Sequence, residues 1–258
     1  MVKAGLLGSD AVDEVATFYL THAQGNLLYP RNPQWTRDHL GTDFFLVGVR
    51  IKGELSAVGW MARLKDFVYF VVEDENLLIR NDGSYAYSGG WCIRPNDRSR
   101  GLFQLLAATI NLFWFTKVSK DETPTLWGRM VGQKDVDGNP LFWNRVGERV
   151  TGLSYRELLG LPFGTMEEAI FTHWPKEPIP FKDIPRDILE QTLGKTFGPL
   201  VGPLNAFISW GFVEITDRYV PTSLNCFHRT TKDSIPDPEK FFDQALSKTI
   251  NSLKPVRP

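Results

Sequence analysis

The sequence predicts an α/β protein of the α+β kind, in which helices flank a mixed β-sheet. Two observations support this fold class. The apolar segments 44–50 and 55–64 are separated by a Lys-Gly-Glu turn at 52–54, which predicts a β-hairpin and therefore antiparallel strands. Residues 85–150 follow the order strand, loop, helix, strand, helix, which is typical of two parallel strands joined through a helix.

The first half of the chain contains most of the regular pattern. Residues 1–24 predict one helix, because apolar residues repeat at helical spacing from Val12 to Tyr19 behind Asp10, a residue type that caps helices. Segment 67–72 is short and apolar, and 76–81 is predicted as an edge strand before an Asp-Gly turn. The strand, helix, strand and helix that follow are predicted at 85–93, 101–118, 125–131 and 141–150.

The pattern of predicted elements is less regular in the second half of the chain, where proline and glycine residues interrupt the helices and strands. A helix at 167–174 stops before Pro175, and a helix at 184–193 has Pro185 in its first turn. The remaining predicted elements are a helix at 203–210 closed by a glycine, a strand at 212–219 and a helix at 238–246.

Composition excludes several classes of function. The chain has 258 residues, 42% of them apolar, and a net charge of −1, so we expect a proper core and no nucleic-acid partner. Cys92 and Cys226 lie far apart, and neither they nor the four histidines have the spacing of a metal site. Acidic residues near the start, and polar residues within the apolar segment 101–116, argue against a signal peptide and a membrane span. We therefore expect a cytoplasmic protein without a metal or a membrane partner.

A basic turn follows the strand at 85–93. It contains Arg98, Ser99, Arg100 and Gly101 and leads into a helix that begins near Leu102. Free amides at a helix start favour an anion, and two arginines strengthen that preference. The residues alone leave two interpretations open, a phosphate site or a solvated turn.

The order of residues in this turn resembles a motif of a known protein family. Arg98-x-x-Gly101-x-Phe103 is similar to the loop of the GCN5-related acyltransferases that holds the pyrophosphate of coenzyme A with its amides. Phe103 departs from the small residue that the family has in the last place. The resemblance implies that Arg98, Ser99, Arg100, Gly101 and Leu102 bind the cofactor.

A second stretch resembles the arginine N-succinyltransferase family. Met-Val-Gly at 130–132 is followed by the segment Asp-Val-Asp-Gly-Asn-Pro-Leu-Phe-Trp at 135–143 and by Val-Gly at 146–147, similar to the family's Met-x-Gly and Asp-x-x-Gly-x-x-Phe-Trp-x-x-x-Gly. Trp-Pro-Lys-Glu-Pro-Ile at 174–179 and Gly-Phe at 211–212 match further motifs in the family's order.

This resemblance implies a mostly antiparallel sheet and two related halves, which we place at 1–160, the half that binds acyl-coenzyme A, and at 161–258, packed against the first. It implies transfer of an acyl group, succinyl or similar, from coenzyme A to the amine of a small molecule such as an amino acid. Ile93 lies where the family contacts acyl-coenzyme A. We assign Arg129 and Trp143 to the acceptor site, and leave open a homo- or hetero-oligomer.

Two positions depart from the family. Phe197 stands where the family has a proposed proton-donor histidine, and Arg129 stands where it has a glutamate. If Arg129 faces the site, a guanidinium acceptor is disfavoured and an anionic acceptor favoured.

The reaction needs a proton for the leaving thiolate. We assign Asp135 and His173 as catalytic candidates, and the other candidates are Asp137, Tyr85 and Tyr87. Each of the first two has an alternative role that involves no catalysis: Asp135 could stabilise its own turn, and His173 could be a solvated or structural histidine. The alternative function is a non-catalytic binding protein or partner subunit with the same fold, which the loss of the histidine favours.

Overall fold

The computed structural model describes residues 1–23, 29, 32–119, 125–198, 201–209, 211–235 and 237–253. Its strands are β1 Val2–Leu7, β2 Phe44–Ile51, β3 Glu54–Leu64, β4 Val68–Glu73, β5 Asn76–Asn81, β6 Tyr85–Ile93, β7 Thr125–Arg129, β8 Ile179–Pro180, β9 Val213–Tyr219 and β10 Cys226–Thr231. Its α-helices are α1 Val12–His22, α2 Pro33–His39, α3 Leu102–Phe113, α4 Glu148–Thr151, α5 Tyr155–Gly160, α6 Met166–His173, α7 Arg186–Thr192, α8 Val201–Ser209 and α9 Pro238–Ser252.

The ten strands form one sheet in the order β1-β2-β3-β6-β7-β10-β9-β4-β5-β8. Strands β6 and β7 are parallel, and the other neighbours are antiparallel. The predicted mixed, mostly antiparallel sheet flanked by helices is therefore confirmed. The β2–β3 hairpin turns at Lys52 and Gly53 with φ angles of 54° and 93°, the left-handed conformation that suits the twist of a tight hairpin.

Helices cover the two faces of the first strands. On one face, α1 and α2 pack on an aromatic core that includes Tyr19, Trp60 and Tyr87. On the other face, α3, α8 and α9 pack on Leu126 and on β2 and β3. A third core forms between β4, β5 and helices α4 to α7. No helix in the described ranges is both long and apolar enough to cross a membrane.

Several elements differ from the sequence predictions. The first 24 residues contain strand β1 before α1, and the stretch before β2 contains α2. The pattern of β1 is weak because it is an edge strand, which forms through its pairing with β2. Strand β10 was missed because its Cys-Phe-His-Arg-Thr-Thr sequence is polar, although most of it is buried between β7 and β9. Trp210, the predicted end of α8, lies outside the described residues.

The proposed division at residue 160 stays a prediction. In the sheet, β4 and β5 precede that position in the chain, yet they lie between β9 and β8, which follow it. The third core likewise joins Phe142 and Trp143 with Ile170 and Trp174. The two sides of the division therefore share one sheet and one core.

Candidate active site

The parallel strands β6 and β7 diverge after a single pair of residues. Tyr87 pairs with Trp127, and no later residue of β6 pairs with β7. A β-bulge bends β6 here, because Gly90 and Trp91 face one residue, Gly59, on β3. Strands β3 and β10 pair with the outer edges of β6 and β7. The divergence therefore leaves a gap in the sheet between these two strands.

Gly90 is required at the bulge for two reasons. Its φ angle is +62°, which favours glycine, and a Cβ there would lie 2.2 Å from Nε1 of Trp60. The Tyr19 hydroxyl donates a 2.6 Å hydrogen bond to the Gly90 carbonyl, so α1 holds the bulge from its own face of the sheet.

The basic loop lies at the end of β6, next to this gap. Asp97 is buried and accepts a 3.0 Å hydrogen bond from Arg100. Arg94 is held by Glu54 and by the Leu55 carbonyl. Arg98 is exposed, and no acidic group among the described residues forms an ion pair with it. Among the groups that the structure describes, Arg98 therefore has no ion-pair partner, whereas Arg100 helps to shape the loop.

The start of α3 offers free donors to an anion. In the described part of the chain, no acceptor is paired with the amides of Leu102, Phe103 or Gln104, as is usual for the first turn of a helix. Gly101 caps the helix with a φ angle of +75°. Thr249 of α9 lies against Gly101, and its buried hydroxyl has no hydrogen-bond partner among the described atoms. These groups fit a phosphate.

A cavity of about 340 Å³ lies on the α1–α2 face of the sheet, beside the point where β6 and β7 separate. Its walls include aromatic side chains and one pair of opposite charges, namely Trp35, Trp60, Tyr87, Phe163, Arg129 and Glu167. Phe163 contacts Trp35 and Trp60, with ring centroids 4.8 and 5.1 Å apart. The cavity is therefore an aromatic chamber with a polar end.

The charged pair at this end is buried. Arg129 and Glu167 lie 3.5 Å apart, with side-chain exposures of 12% and 9%. Burial lowers the pKa of Arg129. The surrounding groups raise it by more, namely Tyr87, Glu167 and Tyr85, so the net shift of the pKa is upward and the guanidinium stays charged. Burial also raises the pKa of Tyr87 and of Tyr85, which keeps both phenols protonated. The pair with Glu167 cancels the charge that Arg129 introduces.

On the opposite face, side chains of the protein itself fill the gap between the strands. Phe207 of α8 meets Trp91 edge-on with centroids 5.2 Å apart, and it stacks on Phe212 at 3.7 Å. A Cβ on Gly128 of β7 would lie 2.8 Å from the Phe207 ring. Phe103 extends this cluster at 5.0 Å from Trp91. The loop therefore has free donors for a phosphate, whereas side chains of the protein occupy the gap beside it.

His228 lies beneath the same cluster. It pairs with Gly128 across the β7–β10 ladder and meets Phe207 at 5.6 Å. The ring is fully buried, and neither nitrogen has a hydrogen-bond partner among the described groups. Glu214 on β9 lies 3.6 Å from Nε2. Burial lowers the pKa of His228 to about 4, so the imidazole is neutral at pH 7.

Comparison with known structures then identifies the fold. The arginine/ornithine succinyltransferase subunit AI from Pseudomonas aeruginosa superposes with a TM-score of 0.59 at 13% identity, covering 95% of this chain and 79% of that one. The chain has the arginine N-succinyltransferase fold. No protein-family model and no curated protein sequence matches it.

Two further structures are similar over part or all of the chain. A spermidine N-acetyltransferase variant from Vibrio cholerae has a TM-score of 0.41 at 8% identity, covering 91% of this chain and 96% of that one. An aminoglycoside acetyltransferase from an uncultured soil sample has a TM-score of 0.35 at 13% identity, covering 53% and 83%. With such low scores, neither adds to the evidence from the succinyltransferase fold.

Within the succinyltransferase fold, the predicted cofactor residues lie together. Ile93 ends β6 and packs on the α3 face, and the loop from Arg98 to Leu102 follows directly. Their roles stay predictions. Cys92, which precedes Ile93, is buried, and burial raises the pKa of its thiol to about 11 although Arg98 opposes the shift. A thiol in this state is a poor nucleophile.

The predicted acceptor and catalytic residues do not all meet. Arg129 lines the cavity, but Trp143 is fully buried in the third core and donates to the Leu153 carbonyl at 2.9 Å. Asp135 orders its own turn, since its carboxylate accepts from the amides of residues 137 and 139 and from Asn144. His173 is exposed and bonds to the Ala169 carbonyl at the end of α6. None of these last three lines the cavity.

Sequence reasoning missed Glu167 and Phe207. Glu167 could have been found by spacing, because it stands three residues before Ile170, a buried residue of α6, and seven residues before Trp174, the buried residue that follows the helix. Phe207 gave no signal of its own, since an aromatic residue in an apolar helix is normally part of a core. Phe197, in place of the family histidine, lies beside the end of β7, where its amide donates to the Val131 carbonyl.

Proposed function

We propose that the protein is an acyl-coenzyme A-dependent N-acyltransferase that acts on a small amine, such as an amino acid or a derivative. The observation that carries this proposal is the position of the aromatic cavity at the gap between β6 and β7, with the basic loop at the end of β6 on the other side. A thioester held by the loop and an amine held in the cavity would meet at the gap.

The cavity supports an acceptor that carries both charges. Arg129 suits a carboxylate, and Glu167 suits an ammonium group, so a zwitterionic amino acid matches the pair. Aromatic walls such as Trp35 and Trp60 attract an ammonium cation and exclude water. Because Glu167 neutralises Arg129, we no longer expect a purely anionic acceptor.

The same residues suggest how protons move. The amine must lose a proton before its nitrogen bonds to the thioester carbon, and Glu167 supplies the carboxylate among the described residues that line the cavity. When the carbon–sulfur bond breaks, the thiolate needs a proton, and Tyr87 is a protonated phenol at the point where the strands separate. The nitrogen, once bonded to the carbonyl carbon, releases its second proton, which restores the phenol. We therefore assign the proton donor to Tyr87 in preference to Asp135 or His173.

The proposal is tested by binding and turnover together. Thermal stabilisation should be measured with a panel of acyl-coenzyme A thioesters on the wild type, on Arg98→Ala and on Arg186→Ala, which removes an exposed arginine from α7. A ligand at about 100 times its dissociation constant adds about 2.7 kcal/mol. We expect stabilisation that is lost in Arg98→Ala alone, followed by amine-dependent release of free thiol. No stabilisation by any thioester would refute the proposal.

The second candidate, a non-catalytic binding protein with this fold, is favoured by Phe207. Its ring, with Trp91 and Phe212, fills the space that the thioester arm needs. Binding of coenzyme A without thiol release on any amine would support this candidate.

A further inference from the structure

The path from the basic loop to the cavity crosses the sheet. Leu102, at the loop, belongs to the core on the α3 face, whereas the cavity residue Tyr87 belongs to the core on the α1–α2 face. Strands β3 and β10 close the outer edges of β6 and β7, so a flexible arm that starts at the loop reaches the cavity through the gap between these two strands. Phe207 lies in that gap.

We call the gap between β6 and β7 the passage. The side chain of Phe207 contacts both of the strands that border it. It contacts Trp91 on β6, and it lies so close to Gly128 on β7 that a Cβ there would sit 2.8 Å from its ring. A glycine on β7 therefore provides the space that Phe207 occupies. The ring is 3% exposed, so it lies in the protein interior at the place where a ligand would have to pass between the strands.

Phe207 is the buried residue among the described side chains of α8. Among the α8 side chains that the structure describes, Phe207 is buried, Leu204 is half-buried, and Asn205, Ile208 and Ser209 are exposed. Gly211, with a φ angle of +90°, follows close behind the helix. A short helix that has exposed side chains is the kind of element that opens locally at a lower cost than the centre of a sheet.

We propose that α8 is a gate, and that the Phe207 ring closes the passage between β6 and β7 until the thioester arm of acyl-coenzyme A displaces it. This inference rests on the proposed function and adds a closed state in which the loop is accessible but the passage is not. It explains why the loop fits a phosphate while the space beside it is full. It also predicts that the protein distinguishes ligands with an arm from ligands without one.

The test compares coenzyme A with 3′-phosphoadenosine 5′-diphosphate, which has the same phosphates but no pantetheine arm. Dissociation constants are measured by calorimetry for the wild type, for Phe207→Ala and for Ile208→Ala, the exposed neighbour on the same helix. Since a closed state lowers apparent affinity by the fraction that is open, removal of the ring should tighten binding of coenzyme A about tenfold or more. The dissociation constant of the armless nucleotide should change by less than about twofold in Phe207→Ala, because this substitution does not alter the loop. Ile208→Ala should leave the dissociation constants of both ligands unchanged.

The outcomes separate the gate from the function. If the wild type binds both ligands and Phe207→Ala binds coenzyme A no more tightly than the wild type does, the proposal that α8 is a gate is wrong. The proposed function is then unaffected. If the wild type and both variants bind neither ligand, both proposals are wrong.

A measurement on the wild type covers the case in which Phe207→Ala does not fold. Hydrogen exchange of residues 201–209 should become faster when coenzyme A is added and should not change with the armless nucleotide. Exchange that slows or stays constant with coenzyme A would overturn the gate. The milder Phe207→Leu provides the same comparison with less loss of packing.

Discussion

The guanidinium of Arg129 on β7 lies 3.5 Å from the carboxylate of Glu167 on α6, and both side chains are almost completely buried. The two residues are 38 positions apart in the chain, since 167 − 129 = 38. Arg129 also lies over the Tyr87 ring at 5.7 Å, so the pair joins a strand at the gap to a helix at the cavity wall. We expect this contact to affect both the stability of the protein and the charge that the proposed acceptor would meet in the cavity.

We expect Glu167→Gln to destabilise the protein strongly. The change leaves Arg129 charged and buried without its partner, and removal of one member of a buried pair typically costs about 3–5 kcal/mol. Urea unfolding measures the loss. The matched control is Glu168→Gln, an exposed neighbour, which should change the free energy of unfolding by less than about 0.5 kcal/mol. Equal effects of the two changes would contradict the importance of the pair.

We expect Tyr87→Phe to lower kcat/KM by about 100-fold, because loss of a positioned proton donor has this magnitude. The protein should stay folded, since the aromatic ring and its packing remain. Tyr85→Phe is the control, because Tyr85 is a half-buried tyrosine of the same strand, β6, and does not line the cavity. A loss of rate in Tyr85→Phe and none in Tyr87→Phe would reverse the assignment.

Asp135→Ala should affect stability more than catalysis. The variant loses two hydrogen bonds from backbone amides and one from Asn144, so we expect a loss of about 2 kcal/mol on unfolding. Turnover per folded molecule should stay within about twofold, as the carboxylate is engaged in its turn. Asp137→Ala, at an exposed position of the same turn, should change neither quantity. A fall in kcat without a fall in stability would restore Asp135 as a catalytic residue.

His228 should make the folded state sensitive to acid. Its pKa is about 4 when folded and about 6.5 when unfolded, so the unfolded chain binds a proton first as the pH falls. The stability contribution is complete above pH 6.5 and declines towards pH 4, by about 3 kcal/mol in total. His228→Leu should lack this part of the pH dependence, whereas His173→Leu, at an exposed position, should retain it. Denaturant unfolding between pH 4 and pH 8 measures the difference.

The sequence by itself determined the local elements of the site. The β2–β3 hairpin, strand β6, the basic loop and the start of α3 were predicted close to their observed bounds, because each depends on residues that are neighbours in the chain. The helix predicted at 101–118 instead ends as an α-helix at Phe113 and continues as a π-helical turn to Val118. The loop could be recognised from Arg98 and Gly101, since a helix start and a left-handed glycine are local properties. The order of short motifs was enough to indicate the acyltransferase fold.

Only the tertiary structure decided what surrounds that loop. Whether Arg129 acts as a free cation depends on Glu167, and whether the gap is open depends on Phe207, which comes from an element far along the chain. Asp135 and Trp143 carry the family pattern, yet a turn and a core account for their contacts. Side chains distant in sequence meet only when the sheet and its helices pack, and no local pattern of charge or hydrophobicity encodes which of them will share a cavity.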